Sequence, residues 1–347
     1  MKAHQRKSRE KALSGPSEKA FRQDWIWGEG ALEKSAEALA KRSGPFLLVG
    51  EAHLLSPWRR RISHAWIEAG IEIQVLSFPE GAECCEPQMN ALVDAAKTKK
   101  SATLIAWGGG KCIDSVKWAG QLLGLPVLSV PTSSATCACA SQVVVCHSET
   151  GVVLDLIDLD AAPILCIADT EILTTAPRRL LSAGMSDTLA KWLEWKAVEE
   201  PQGAGSEEAM RARDIVMDAS ASQELLWEAN LRLSSLASNL GGAPAAAAHS
   251  FCAGMSLLPQ AGNWLHGEWV GLGLLFQAKL LNEDEEALRR WLQRQGLLER
   301  LPFSLSEEDA QAVACRILAE DESIMLTRGA EAFDTAQILK VLSAISE

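Results

Sequence analysis

The chain changes character near residue 177, and that change limits its architecture more than any other feature. Before it, short apolar runs alternate with helix-period stretches; after it, strand signals fade. Phe46, Leu47, Leu48, Val49 and Gly50 form the apolar run that a buried strand requires. A helix-period stretch at 57–69 follows, then period-two alternation at 71–76, a helical stretch at 87–99 and a strand-like run at 102–107. Glycines at 108–110 interrupt the pattern, a helix is expected from about 112 to 123, and further strands at 126–130 and 164–168. Strands alternating with helices predict a parallel sheet covered on both faces. Beyond 177 the helical patterns are long, at 178–199, 207–238, 245–259, 266–281, 285–298, 307–319 and 334–345. Breaks fall at 201–205, 241–244 and 260–262. The reading is therefore a polar, disordered tail over 1–20, an α/β domain over 21–177, and an all-α domain over 178–347. A site is expected in a cleft between the two halves.

Composition narrows the function. At 347 residues the chain is long enough for two domains. It carries 45 acidic against 33 basic residues, a net charge of −12, with the basic residues scattered. That balance argues against nucleic acid and against an anionic membrane as partners. No uninterrupted apolar stretch approaches the roughly 18 residues of a membrane span. The nine cysteines do not form a compact disulfide framework and read as reduced thiols. Residues 1–20 show no apolar signal segment, so a cytoplasmic location is expected. Tyrosine is absent, so no tyrosine hydroxyl serves as acid or base.

Two loops in the first half carry ligand-binding chemistry. Gly108, Gly109, Gly110 and Lys111 stand between a strand and a helix. Glycines let the backbone approach a ligand without a Cβ clash, and the following helix N-terminus favours a phosphate. Lys111 adds positive charge, and Asp114, one turn in, can accept a hydrogen from a ligand or from the backbone. The competing reading is a tight turn that lets helix and sheet pack. The polar loop from Pro131 to Cys137 follows the next strand, where open parallel sheets bind ligands.

Three polar residues stand out in the apolar second half: Asp187, His249 and His266. A buried carboxylate needs a cation partner, and imidazole with carboxylate suits zinc or iron. Lys191 lies four residues after Asp187, and Cys252 three after His249, so each shares a helix face with a candidate ligand. The competing readings are an Asp187–Lys191 ion pair and a small buried apolar cysteine.

Taken together these segments resemble the iron-containing alcohol dehydrogenase superfamily, in its glycerol dehydrogenase-like branch. The likeness runs from Trp25-Ile-Trp-Gly-Glu-Gly-Ala-Leu32 through Gly108-Gly-Gly-Lys-Cys-Ile-Asp114, Pro131-Thr132, Asp169-Thr-Glu-Ile172, Gly184-Met-Ser-Asp-Thr-Leu-Ala190 and Gly241-Gly242 to His266-Gly-Glu268. The resemblance implies a Rossmann-like α/β N-terminal domain and an all-α C-terminal domain, an architecture shared with dehydroquinate synthase. It implies that Asp187, His249 and His266 are metal ligands, for zinc above all, with iron, manganese or nickel as alternatives. It assigns Gly109, Gly110, Lys111, Cys112 and Asp114 to the pyrophosphate of NAD(H) or NADP(H). Thr132, Ser133 and Ser141 fall near the nicotinamide and its ribose, with Val143 in the same cofactor group. Glu51, closing the first apolar run, falls where a carboxylate meets the adenosine ribose. That favours NAD, while Arg59, Arg60 and Arg61 keep NADP open. Relatives are oligomeric, so a homo-oligomer is expected.

The chain departs from that branch in three places. Thr136-Cys137-Ala138-Cys139 replaces the segment whose aspartate meets the polyol in glycerol dehydrogenases. Cys252 stands where those enzymes have a second histidine, and Lys191 where iron enzymes have one. The variant resembles the bacterial hydroxycarboxylate dehydrogenases, which reduce 2-oxo acids. A lost carboxylate and a gained cation suit a carboxylate-bearing substrate. Lys191, Cys137 and Cys252 are accordingly the expected catalytic-pocket residues. The alternatives are a polyol or aldehyde dehydrogenase, a degenerate nucleotide-binding relative, and a sugar-phosphate cyclase. The last is disfavoured because Asp187 stands where cyclases carry a glutamate ligand.

Overall fold

A computed structural model of the chain describes residues 23–198, 205–240, 245–319 and 322–346. The tail expected over 1–20 and the breaks expected at 201–205 and 241–244 lie outside the described residues, except Gly205, which opens a helix. The chain divides into two compact units at Pro177/Arg178.

The first unit is built on six parallel strands: β1 (Asp24–Gly28), β2 (Phe46–Glu51), β3 (Ile73–Phe78), β4 (Thr103–Gly108), β5 (Val127–Pro131) and, after a hairpin, β8 (Leu165–Asp169). Their order across the sheet is β1-β8-β5-β4-β2-β3. Strands β2, β4, β5 and β8 are buried nearly throughout, which is why each reads as an unbroken apolar run. Helices α1 (Ala31–Ala40), α2 (Glu86–Thr98) and α3 (Gly110–Leu123) form the crossovers. From β2 the chain passes outward to β3, whereas from β4 it passes the other way to β5. The switch point of the sheet therefore lies between β2 and β4, whose carboxyl ends are Glu51 and Gly108. Trp66 and Trp107, both fully buried, meet edge to face at 6.4 Å in the core beside the sheet. The Trp66 indole N–H donates to the Leu32 carbonyl and to Ser35 Oγ, and that of Trp107 to the Leu54 carbonyl.

Two expectations for this unit need correction. The stretch 57–69 is a chain of short turns, 3₁₀ at Ser56–Trp58, α at Arg59–Ile62 and π at Ser63–Ile67, in place of one helix. Pro57 leaves one backbone N–H missing at its start. Between β5 and β8 lies an antiparallel hairpin that the sequence reading missed, β6 (Val143–His147) with β7 (Val153–Asp158). Leu154 and Leu156 point outward on β7, so its apolar residues lie on both faces and its alternation misleads.

The second unit is helical: α4 (Arg178–Ala197), α5 (Gly205–Met217), α6 (Ala247–Met255), α7 (His266–Leu280), α8 (Glu286–Gln295), α9 (Glu307–Ile317) and α10 (Thr335–Ala344). Helices α4 and α7 are buried nearly all round over their central turns, as central helices of a bundle are. The expected helix 207–238 is instead broken at 218–222 and contains a π turn at Ala229–Leu233. Side chains win over the helix at the break: Asp218 Oδ1 accepts from the Ser220 N–H, and Ser222 Oγ accepts from the Leu225 N–H to start the next helix. No helix among the described residues is long and apolar enough to cross a membrane.

Candidate functional site

Three helices of the second unit bring Asp187, His249 and His266 together. Asp187 lies within α4, His249 in the first turn of α6, and His266 opens α7. Their ligand atoms all lie within 4.8 Å of one another. Asp187 Oδ1 is 3.4 Å from His249 Nε2 and 3.7 Å from His266 Nε2. Such short side chains meet only if the helix backbones touch, and glycine makes that contact possible. A Cβ on Gly267 would fall 1.9 Å from the Ala183 carbonyl oxygen of α4, and one on Gly273 2.5 Å from that of Ala248 on α6. The Ser186 hydroxyl then bridges the carbonyls of Ala183 and Gly267 across the α4–α7 seam.

Each imidazole is held from behind. Glu194, fully buried, places Oε2 2.5 Å from His249 Nδ1, and its Oε1 accepts from the backbone N–H groups of Ala246 at 2.7 Å and His249 at 3.0 Å. One carboxylate thus fixes the ring and the start of α6 that carries it. Cys252 Sγ lies 3.4 Å from His266 Nδ1. Both rings consequently turn Nε2 toward Asp187, the orientation in which imidazole ligates a metal while a partner holds Nδ1. Cys252 is brought to the site, but behind His266 and outside the trio of ligand atoms.

The charges are mutually adjusted. Burial works against the Asp187 charge, but the Lys191 ammonium and the two imidazoles outweigh it and hold the carboxyl well below the usual carboxylate range. Burial likewise opposes the charge of Glu194, and His249 with the two backbone N–H groups pulls its value down. The desolvated His249 is pulled up by Glu194 and Asp187, and His266 well up by the Cys252 sulfur and Asp187. Asp187 Oδ1 is nevertheless buried with no hydrogen-bond partner. A carboxylate oxygen left so, facing two ring nitrogens, is the donor set of a divalent metal of the zinc or iron kind. The residues present therefore fit the metal that their pattern implies. Lys191 Nζ stands 3.5 Å from the same Oδ1.

In the first unit the structure sorts the expected cofactor residues into two groups. Glu51 and Gly109 stand at the carboxyl ends of β2 and β4, and Thr132 and Ser133 follow directly on β5. Gly109 is extended, and Gly110 opens α3 so close to the next loop that a Cβ would meet Thr136 Oγ1 at 3.0 Å. Lys111 is paired with Glu83. The Cys112 side chain turns inward, its Sγ 3.7 Å from the carbonyls of Val49 and Trp107, and burial pushes its thiol up. Asp114, Ser141 and Val143 are engaged by a residue the sequence reading did not single out. Buried Lys117 donates to Asp114 Oδ1 at 2.7 Å, Ser141 Oγ at 3.0 Å, and the carbonyls of Val143 at 2.7 Å and Ala138 at 3.0 Å. Asp114 Oδ2 accepts from the Val145 N–H at 3.1 Å. This cluster ties α3 to the loop and hairpin beside it. Cys137 lies in that loop, its carbonyl accepting from the N–H groups of Ala140 and Ser141.

Both Glu194 and Lys117 had a signal in the sequence. Glu194 is seven residues after Asp187, two turns along the same face, and Lys117 is three after Asp114.

Residues 23–170 match the sequence family described as iron-containing alcohol dehydrogenase. The chain is similar to hydroxycarboxylate dehydrogenase A of Escherichia coli K12, with 30% identity over 316 residues, covering 84% of this chain and 78% of that one. It is similar to a glycerol dehydrogenase of Escherichia coli O6:H1, with 29% identity over 288 residues, covering 76% and 77% of the two chains. A solved structure of a probable glycerol dehydrogenase from Sinorhizobium meliloti 1021 shares the fold, with a TM-score of 0.83 at 24% identity over 93% of this chain and 96% of that one.

Proposed function

The chain belongs to the iron-containing alcohol dehydrogenase family, and on that premise we propose that this oxidoreductase transfers hydride between a nicotinamide nucleotide and a small 2-oxo or 2-hydroxy acid. The observation that carries the acid substrate is Lys191: an ammonium stands 3.5 Å from the carboxylate of the metal trio, among groups otherwise suited to a neutral carbonyl. Asp187, His249 and His266 would hold the divalent metal. Bound there, the metal supplies Lewis acidity toward a carbonyl oxygen and the developing alkoxide. The chain's own residues do the rest. Glu194 and Cys252 keep both imidazoles in the ligating orientation, and Lys191 offers a cation to the substrate's carboxylate. Gly109 and Gly110 present backbone N–H groups at the start of α3 to the cofactor's pyrophosphate. Glu51, at the switch point of the sheet, suits the ribose hydroxyls of NAD.

The test is NAD(P)H oxidation by the metal-loaded protein with 2-oxobutyrate, oxaloacetate, dihydroxyacetone and a simple aldehyde. The acid reading expects turnover of the oxo acids, abolished by chelator, and a selective rise in their KM in Lys191→Met. Activity with dihydroxyacetone alone returns the enzyme to a polyol substrate, the activity named for its glycerol dehydrogenase relatives.

A further inference from the structure

The place of Lys191 carries a consequence for the metal itself. Its ammonium is 3.5 Å from Asp187 Oδ1, longer than the roughly 2.7–2.9 Å of a charge-assisted hydrogen bond, and that oxygen has no hydrogen-bond partner. The contact is thus a charge held beside the ligand atoms without a bond that satisfies them. A zinc ion bonded to Oδ1 at about 2.0–2.2 Å would lie at most about 5.7 Å from an Nζ that stayed in place. Charges that close repel strongly in a buried setting. The Lys191 side chain is 13% exposed, so it has an outlet toward solvent. Its stem rises from α4 one turn beyond Asp187, which fixes the base of the side chain and leaves only its end to move.

We infer that the Lys191 ammonium is a built-in competitor for the metal at Asp187, weakening the site's hold on a divalent cation until the ammonium turns to the substrate's carboxylate. In the metal-free protein it supplies the positive charge that the buried Asp187 needs. When a dication arrives, the ammonium is displaced outward, where a carboxylate can hold it. Metal and an acidic ligand then strengthen each other's binding, because each removes the ammonium from the other's way. The coupling to the acid rests on the oxo-acid reading above; the competition with the metal does not.

The experiment measures the dissociation constant of Zn²⁺, by competition with a chromophoric chelator, for the full chain and for Lys191→Met, Lys191→Gln and Lys191→Arg. Removing the charge should tighten binding at least tenfold in both Met and Gln variants, while Arg leaves it unchanged or weaker. Tightening is diagnostic, since structural damage at a metal site weakens binding. Equal or weaker binding in both uncharged variants overturns the proposal. The measurement is repeated with saturating oxamate, an unreactive 2-oxo acid analogue. Tighter Zn²⁺ binding with oxamate in the native chain, lost in Lys191→Met, supports the coupled half. Tightening by mutation with no oxamate effect leaves the competition standing and overturns the acid coupling.

Discussion

Replacing Gly267 by alanine should dismantle the metal centre without touching a ligand. The added Cβ would sit 1.9 Å from the Ala183 carbonyl oxygen, whereas real Cβ contacts stay beyond 3.0 Å, so α4 and the start of α7 must part by at least the difference, 1.1 Å. The obstacle is backbone, which cannot rotate aside. His266 is the adjacent residue and must move with the turn. Metal–ligand distances tolerate only about 0.2 Å. The displacement is several times that tolerance, so the Zn²⁺ dissociation constant should rise at least about a hundredfold, the upper end of what misdirecting a ligand from behind costs. Gly273→Ala, whose Cβ would lie 2.5 Å from the Ala248 oxygen, demands a smaller shift and a smaller loss. Gly262→Ala meets nothing within 4 Å and should bind as the native chain does. Chelator competition gives the affinities, and far-ultraviolet circular dichroism of the metal-free forms verifies that each is folded. A folded Gly267→Ala protein that binds Zn²⁺ within threefold of the native chain would refute the argument, as would Gly273→Ala proving the worse of the two.

Three further outcomes follow from the same geometry. Glu194→Gln should weaken Zn²⁺ binding by about 10–100-fold, because the amide is a poorer acceptor for His249 Nδ1; an unchanged affinity in the chelator assay contradicts this. Lys117→Met leaves Asp114 buried beside three other acceptors and should cost about 3–5 kcal/mol in urea unfolding of the first unit, with weakened nicotinamide nucleotide binding but native Zn²⁺ affinity. His249 and His266 have raised values, so their contribution to metal-free stability is complete below about pH 6.5 and fades as pH rises through those values, while that of Asp187 fades only as pH falls through its lowered one. Metal binding must displace the imidazole protons, so the gain in Tm on adding Zn²⁺ should grow as pH rises above about 6.5 through the raised imidazole values; a gain independent of pH would contradict it.

The sequence announced the central strands and the polar residues set among apolar ones. Central strands β2, β4 and β5 are continuous apolar runs because both their faces are buried. Asp187, His249 and His266 drew notice because they interrupt apolar surroundings. Glu194 and Lys117 did not, although both are almost fully buried. A Glu or Lys in a helical pattern ordinarily faces solvent, and only the spacing to Asp187 or Asp114 distinguishes these two. The hairpin went unread, and on its second strand Leu154 and Leu156 are exposed.

The least legible feature is the one that assembles the metal centre, because it consists of atoms that are missing. Glycine within a helical pattern reads as a weakness, about 1 kcal/mol against alanine. On α7 that local loss is what allows backbone contact with α4 at Gly267 and with α6 at Gly273. Propensity acts on one helix, whereas the benefit exists only once three helices are packed, so no local window of sequence contains it. The trio could be listed residue by residue from its chemistry. Its convergence to within 4.8 Å required the neighbours that each glycine was shaped to meet.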